Sequence, residues 1–114
     1  MSDAAYSLMY LNALAGLATR LSVDGLAIYS ARYDYLAFGS WELVAGRRQA
    51  RVRAVWDGKE ARLDTFAARL ARPTDEPKWR PVRDFDFSKR RSQHAEVFAA
   101  AYAVIREQSG GEGG

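Results

Sequence analysis

The sequence predicts an α+β fold: an N-terminal helix, an antiparallel meander of three or four strands, a Pro-rich connection, and a C-terminal helix packed with the first on one face. Three observations support it: helical spacing of apolar residues near both ends, alternating runs between them, and three clustered prolines before the last helix. The chain of 114 residues suffices for one domain with an ordinary core. We expect that domain to span 1–109, with 110–114 as a flexible Gly-rich tail.

The first predicted element is a helix from about Asp3 to Leu21. One apolar stripe contains Leu14, and a second stripe beside it contains Leu11, so little of the circumference is polar. A helix this apolar needs cover on more than one side, from its own sheet and from either the last helix or a second subunit. We therefore name Leu11 and Leu14 as a candidate homodimer face, with complete cover inside one chain as the alternative.

Two strands are predicted next, at Leu26–Tyr35 and Ser40–Ala45. Because side chains alternate along a strand, Tyr29, Tyr33 and Tyr35 are expected on one face. They form a candidate aromatic contact surface. A small-ligand binder or a minor enzyme built around these tyrosines is one interpretation, and it requires a pocket.

The strongest local signal is Asp57-Gly58 between two alternating runs, which predicts a type I′ hairpin with a two-residue loop. That register places Arg53 directly opposite Arg62, on a charged ribbon face that also carries Arg51. Gly58 is then expected to have positive φ, so Gly58→Val is expected to cost more than about 1 kcal/mol.

The segment Leu63–Arg72 fits either a short helix or a continued strand. The prolines then predict an extended polar connection over Arg72–Val82, in which Trp79 either anchors the loop or offers an exposed aromatic contact. Asp84–Phe87 alternates strictly and predicts a short edge strand or a docked arm.

The last helix is expected from Ser88 or Ser92 to Gln108, burying one stripe of residues: His94, Phe98, Ala101, Tyr102 and Ile105.

Charge is distributed unevenly along the chain. Residues 1–46 contain two basic and four acidic residues, and residues 94–114 contain one basic and three acidic residues. Residues 47–93, in contrast, contain fourteen basic and seven acidic residues. The basic middle segment favours an anionic partner, whereas the Arg- and Ala-rich composition, typical of a GC-rich bacterial genome, favours ordinary solvated surface. The candidate contacts to an anionic partner are Arg51, Arg53, Arg62, Lys78, Arg80, Lys89, Arg90 and Arg91.

Ser88-Lys89-Arg90-Arg91, followed by an Ala-rich helix, distantly resembles the closing segment of the double-stranded-RNA-binding domain. The predicted order of helix, three strands and helix is similar too. The resemblance implies phosphate contacts by Lys89, Arg90 and Arg91. It covers about twenty residues, lacks the Gly-containing turn before the Ser-Lys, and has no counterpart of the Pro-rich insertion, so no family is assigned.

Enzymatic classes are strongly restricted by composition. With no Cys and one His, thiolate nucleophiles, disulfides and Cys-containing or multi-His metal centres are excluded. Asp84 and Asp86 would point the same way from a strand, but neighbouring cations are expected to pair with them. His94 has no nucleophile elbow nearby. We therefore expect no catalytic residue, no metal and no cofactor.

The leading functional prediction is a small non-enzymatic protein-interaction domain, such as an adaptor, inhibitor or immunity-type protein. We expect it in the cytoplasm, because Met1-Ser2-Asp3 gives a negative start where a secretory signal has a positive one. We expect no membrane contact, because the uncharged stretch from Ala4 to Thr19 is shorter than the roughly 18 apolar residues of a membrane span. The alternative is a nucleic-acid-binding protein that uses residues 47–93. No aromatic residue lies beside the hairpin arginines in sequence, and a base-stacking platform would need them.

Overall fold

The computed structural model describes the backbone of residues 3–34, 36, 39–89 and 94–110, with all their side chains except those of residues 3–10 and 94. The elements within these residues are α1 (Asp3–Val23), β1 (Ala27–Asp34), β2 (Ser40–Arg47), β3 (Ala50–Asp57), β4 (Arg62–Arg69), β5 (Arg80–Asp86) and α2 (His94–Gln108). Ser88 lies in a turn rather than in the last helix, whereas Ser92 and residues 111–114 of the expected tail lie outside the described residues.

The five strands form one antiparallel sheet in the order β1-β2-β3-β4-β5. α1 packs mainly against β1, α2 packs against β3 and β4, and the two helices contact each other over one face of the sheet. The predicted α+β meander with both helices on one face is therefore confirmed. The sheet has five strands, however, rather than three or four.

The fifth strand comes from the segment in which the prolines predict an irregular connection. β5 begins at Arg80, contains Pro81, and has a bulge in its register with β4. Proline is compatible with an edge strand because one side of that strand needs no backbone N–H donor. The ambiguous segment after Leu63 continues as strand β4, and the predicted edge strand at Asp84–Phe87 forms the end of β5 and the residue after it.

The β3–β4 hairpin has a longer loop than Asp57-Gly58 predicts. Asp57 pairs with Arg62, so residues 58–61 form a four-residue loop. The residue with left-handed backbone conformation is Ala61, at φ 52°, and Gly58 has no positive φ. The predicted type I′ turn is wrong, and so is the reason for expecting Gly58→Val to be costly.

The longer loop changes the pairing of the hairpin without changing its faces. Trp56 lies opposite Leu63, whereas the two-residue loop predicts Lys59, a shift of four residues. An even shift keeps every side chain on the same face of the sheet. The expected like-charge pair is absent, since Arg53 lies opposite Phe66.

Aromatic rings fill the core between the sheet and α2. Trp41 of β2 stacks on Phe98, with ring centroids 4.9 Å apart, and Trp56 of β3 meets Phe87 edge-on at 6.1 Å. In α2, the predicted stripe is buried or half-buried at Phe98, Ala101, Tyr102 and Ile105, while the His94 side chain lies outside the described part. The stripe omitted two further buried residues of α2, Val97 and Val104.

A polar cluster joins the turn after α1 to the end of α2. Tyr102 donates a hydrogen bond to the Asp24 carboxylate, and Arg106 lies 2.7 Å from the same group. Arg20 lies over the Tyr102 ring, 3.7 Å from its centroid, and Arg47 donates to the Asp24 carbonyl oxygen at 2.7 Å. The hydrogen bond from Tyr102, followed by that from Arg106, lowers the pKa of Asp24.

Candidate interaction surfaces

The face of the sheet away from the helices, here called the open face, is not covered by any helix or strand within the described residues. It presents alternate residues of each strand, because the residues between them are in the core. Its apolar members Val44, Val55 and Phe66 are half-buried. The charged side chains on this face are Arg32, Asp34, Glu42, Arg51, Arg53, Asp57, Arg62, Asp64, Asp84 and Asp86.

Two of the three hairpin arginines are held by carboxylates on the open face. Arg53 donates from Nε and Nη2 to one oxygen of Glu42, at 2.9 and 2.6 Å. Arg62 donates to Asp64 at 3.0 Å and also to Asp84. An incoming phosphate would have to displace these carboxylates, so neither arginine is a free anion contact.

The third hairpin arginine, Arg51, is buried and hydrogen-bonded to the backbone. It is only 6% exposed, and its Nη1 donates to the carbonyl oxygens of Arg48 at 2.7 Å and Ala50 at 3.0 Å. Its guanidinium lies 4.1 Å from the centroid of the Tyr29 ring, on the far side of β2. Gly46 lies opposite Arg51 on the intervening strand, and its missing side chain leaves space for the guanidinium to cross.

Two of the three tyrosines predicted to share one face, Tyr29 and Tyr33, do not do so. A register shift between Ile28 and Ser30 makes Tyr29 the extra residue of a bulge in β1. Tyr29 is 50% exposed against Arg51, whereas Tyr33 packs against the core on the helix face. Tyr35 lies outside the described residues. The strand therefore does not line a single pocket with Tyr29 and Tyr33.

Two carboxylates of the open face, those of Asp84 and Asp86, are engaged by neighbouring groups. Asp84 is bound by Arg62, and Asp86 accepts the backbone N–H of Ser88 at 2.9 Å. The hydrogen bond from the Ser88 side chain, followed by that from its backbone N–H, lowers the pKa of Asp86. In the described part of the chain, no group of three or more His, Asp or Glu side chains is arranged to hold a metal ion.

Two shallow depressions interrupt the open face. One, of about 370 Å³, lies beside Arg32, Asp34 and Glu42. The other, of about 380 Å³, lies beside Phe66 and Pro81. Charged side chains and strand backbone form much of both, so they lack the enclosed apolar walls that usually hold a small ligand.

A second charged surface, which we call the basic end, lies where the β2–β3 turn meets the β4–β5 connection. The backbone N–H of Leu70 donates to the carbonyl of Gln49 at 2.9 Å and holds these segments together. Asp75 and Glu76 are the acidic residues of the connection. The basic end consists of Arg47, Arg48, Arg69, Arg72, Lys78 and Arg80.

Most cations of the basic end have exposed side chains that form no ion pair with a described residue. Within the described residues, Arg48, Arg69, Arg72, Lys78 and Arg80 are exposed and have no ion-pair partner. Sequence reasoning identified only Lys78 and Arg80 here. The other residues are distant in sequence, and only the strand register brings them to the same end.

The remaining predicted contacts are separate from the basic end. Lys89 is exposed in the turn after β5, at the opposite end of the sheet, while Arg90 and Arg91 lie outside the described residues. Trp79 is half-buried in the connection just before β5. The predicted anionic-partner residues therefore do not form one continuous surface.

The two residues of the candidate dimer face have different environments. Leu14 is 4% exposed and belongs to the core, so a charge there would test folding rather than association. Leu11 is 46% exposed. No helix within the described residues is long and apolar enough to span a membrane.

Comparison with protein-family models, with curated proteins and with solved structures finds no match to this chain. The five-stranded sheet also departs from the order of helix, three strands and helix on which the double-stranded-RNA-binding resemblance rests.

Proposed function

We propose that the protein is a small non-enzymatic interaction domain that binds an acidic protein partner through the basic end. The observation that supports this proposal is the concentration of five exposed cations without ion-pair partners at that end, within the described residues. Complementary charge accelerates association and selects the partner, which suits an adaptor or inhibitor.

The two helix ends nearby do not account for these cations. A helix C-terminus favours a positive charge within its last turn. Arg20 already occupies the last turn of α1, and Arg106 occupies the last turn of α2. The cations of the basic end lie instead on strand ends and connections, outside both helices.

Nucleic-acid binding is the second candidate, and one observation favours it. Tyr29 and Phe66 lie beside Arg51 and Arg53, so the aromatic neighbours missing from the local sequence are present in space. The charge of the open face opposes this function, however. It carries six carboxylates and four arginines, and an extended polyanion would be repelled along it, whereas a compact acidic patch would meet the basic end alone.

The proposal is tested by titrating the full chain with a short polyglutamate peptide and, separately, with single- and double-stranded RNA and DNA at two salt concentrations. The variant Arg69→Gln with Lys78→Gln removes two charges from the basic end. The variant Lys59→Gln with Lys89→Gln removes two exposed charges elsewhere and is the matched control.

We expect the basic-end variant to bind polyglutamate about tenfold more weakly than the wild type, and the control to bind as the wild type does. Equal losses of affinity in both variants would show that binding depends only on the net charge of the protein, and would overturn the proposal. Tighter binding of a nucleic acid than of polyglutamate, with a salt slope reduced by about two in the basic-end variant, would favour the second candidate instead.

A further inference from the structure

The two edges of the sheet differ in their protection against pairing with another chain. β5 contains Pro81, a bulge and four charged residues, all of which oppose the addition of a strand. In β1 the register shift lies early, at Tyr29, and pairing with β2 is regular from Ser30 to Asp34. Among the residues that the structure describes, the later half of β1 is therefore the edge that is available to a further strand.

This free edge carries two unpaired charges of opposite sign. Arg32 and Asp34 are exposed, and neither has an ion-pair partner within the described residues. Asp34 accepts the backbone N–H of Leu36 at 3.0 Å. In contrast, Arg51, Arg53 and Arg62 of the open face are all engaged, as described above.

A second copy of the chain satisfies both charges in one particular register. If two β1 strands pair antiparallel about a two-fold axis through Tyr33, Arg32 lies opposite Asp34 of the second copy, and the reciprocal pair forms as well. An axis through Arg32 would place two arginines opposite each other, which is unfavourable. An axis through Ala31 would leave Arg32 opposite Ser30.

Helix α1 lies over the same edge of the sheet, on the face that is covered by the helices. Gly16, Leu17 and Arg20 line a groove of about 240 Å³ against α2. The flank of α1 that contains Leu11 and Ala15 points away from α2, because these residues lie on the opposite side of the helix. α1 packs mainly on β1, so this flank overhangs the free edge.

Measured along α1 and β1, Leu11 and Tyr33 are at similar distances from the turn that joins these two elements. A tight turn returns the chain from α1 to β1, with the N–H of Leu26 donating to the carbonyl of Leu21 at 3.0 Å. Leu11 is about 18 Å back from the end of α1. Tyr33 is about 20 Å along β1 from its start. Two copies paired through β1 would thus bring their exposed Leu11 side chains together.

We infer that the protein forms a two-fold homodimer in which the β1 strands pair antiparallel about Tyr33. Reciprocal ion pairs between Arg32 and Asp34 set the register, and the Leu11 flanks of the two α1 helices cover the axis. The paired sheets form one ten-stranded sheet. This inference is independent of the proposed binding at the basic end.

The test uses charge reversal in the full chain, with sedimentation equilibrium at micromolar concentrations. Arg32→Asp leaves two carboxylates at each pair, and Asp34→Arg leaves two cations, so each variant alone is expected to be monomeric. Mixed in equal amounts, they are expected to form a heterodimer, because each pair then has opposite charges. Lys59→Asp is the control, and we expect it to dimerise as the wild type does.

The rescue in the mixture also shows that both variants are folded. A wild type that is monomeric throughout the range would overturn the inference, and so would two variants that both dimerise alone. If Arg32→Asp still dimerises and Leu11→Asp does not, the dimer forms through α1 alone, and the proposed pairing of β1 strands is overturned. Absence of heterodimer from the mixture would overturn the register.

Discussion

Gly46 lies where β2 and β3 approach too closely for a side chain. An added Cβ would lie 2.1 Å from the carbonyl oxygen of Ala50 and 3.1 Å from Cδ of Arg51. Because the first of these contacts is backbone, the strands must move apart to accommodate it. We expect Gly46→Ala to lower the free energy of unfolding by about 2 kcal/mol or more, measured by urea denaturation.

Gly16 supplies the matched control for that substitution. It lies within α1, and apart from its chain neighbours and the adjacent helix backbone no described atom lies within 4 Å of an added Cβ. We expect Gly16→Ala to raise the free energy of unfolding by about 0.5–1 kcal/mol, because alanine restricts the unfolded chain and favours the helix. Similar effects of the two substitutions would contradict the crowding at Gly46.

The four-residue hairpin loop is tested at Ala61. Its φ of 52° is a conformation that glycine adopts without steric cost. Ala61→Gly should therefore raise the free energy of unfolding by up to about 1 kcal/mol, and Gly58→Ala should change it little. Thermal unfolding of both variants distinguishes the four-residue loop from the two-residue turn. A large loss of stability in Gly58→Ala would support the two-residue turn.

At the scale of elements, the Asp24 cluster makes stability depend on acid. Hydrogen bonds from Tyr102 and then Arg106 lower the pKa of Asp24 in the folded state. A carboxyl group with a lowered folded pKa adds stability above its unfolded pKa, about 3.9, and loses that contribution as the pH falls through the folded value. We expect the urea midpoint of the wild type to fall more steeply below about pH 4 than that of Asp24→Asn.

The Asp24→Asn comparison isolates one carboxyl group, because the other acidic residues titrate in both proteins. Tyr102→Phe should reduce the same pH dependence partly, since Arg106 still lies 2.7 Å from the carboxylate. Identical acid profiles for the wild type and Asp24→Asn would show that the cluster does not couple proton binding to the packing of α2.

Local patterns predicted the element types because alternation and helical spacing are visible in neighbouring residues. β5 was missed in its first half because Pro81 is a strand breaker everywhere except at an edge, and the edge position depends on the whole sheet. Likewise, the bulge at Tyr29 depends on pairing with β2, so alternation alone placed this residue on the wrong face.

At the scale of the molecule, the strand register separates charges that are mixed in sequence. The basic segment 47–93 contributes Arg69 and Lys78 to one end of the sheet, and Arg62 with its carboxylate partners to the other end of the open face. Sequence reasoning recognised the surplus of cations but not its location, because long-range pairing decides which charges become neighbours.

The proposed dimer and the proposed binding surface are compatible in space. The axis at Tyr33 lies toward the end of β1 that is far from the basic end. Antiparallel pairing therefore points the two basic ends away from each other. A dimer would present two separate sites, and two linked sites bind a multivalent acidic partner more tightly than one.

In the function proposed for this protein, the acidic partner binds at the basic end rather than at the open face. The most direct measurement is the change in backbone amide NMR shifts when isotope-labelled full chain is titrated with a short polyglutamate peptide. We predict that the largest changes occur at Arg48, Arg69 and Lys78, and that they are lost in Arg69→Gln with Lys78→Gln. Largest changes at Arg53 and Arg62 instead would contradict the claim.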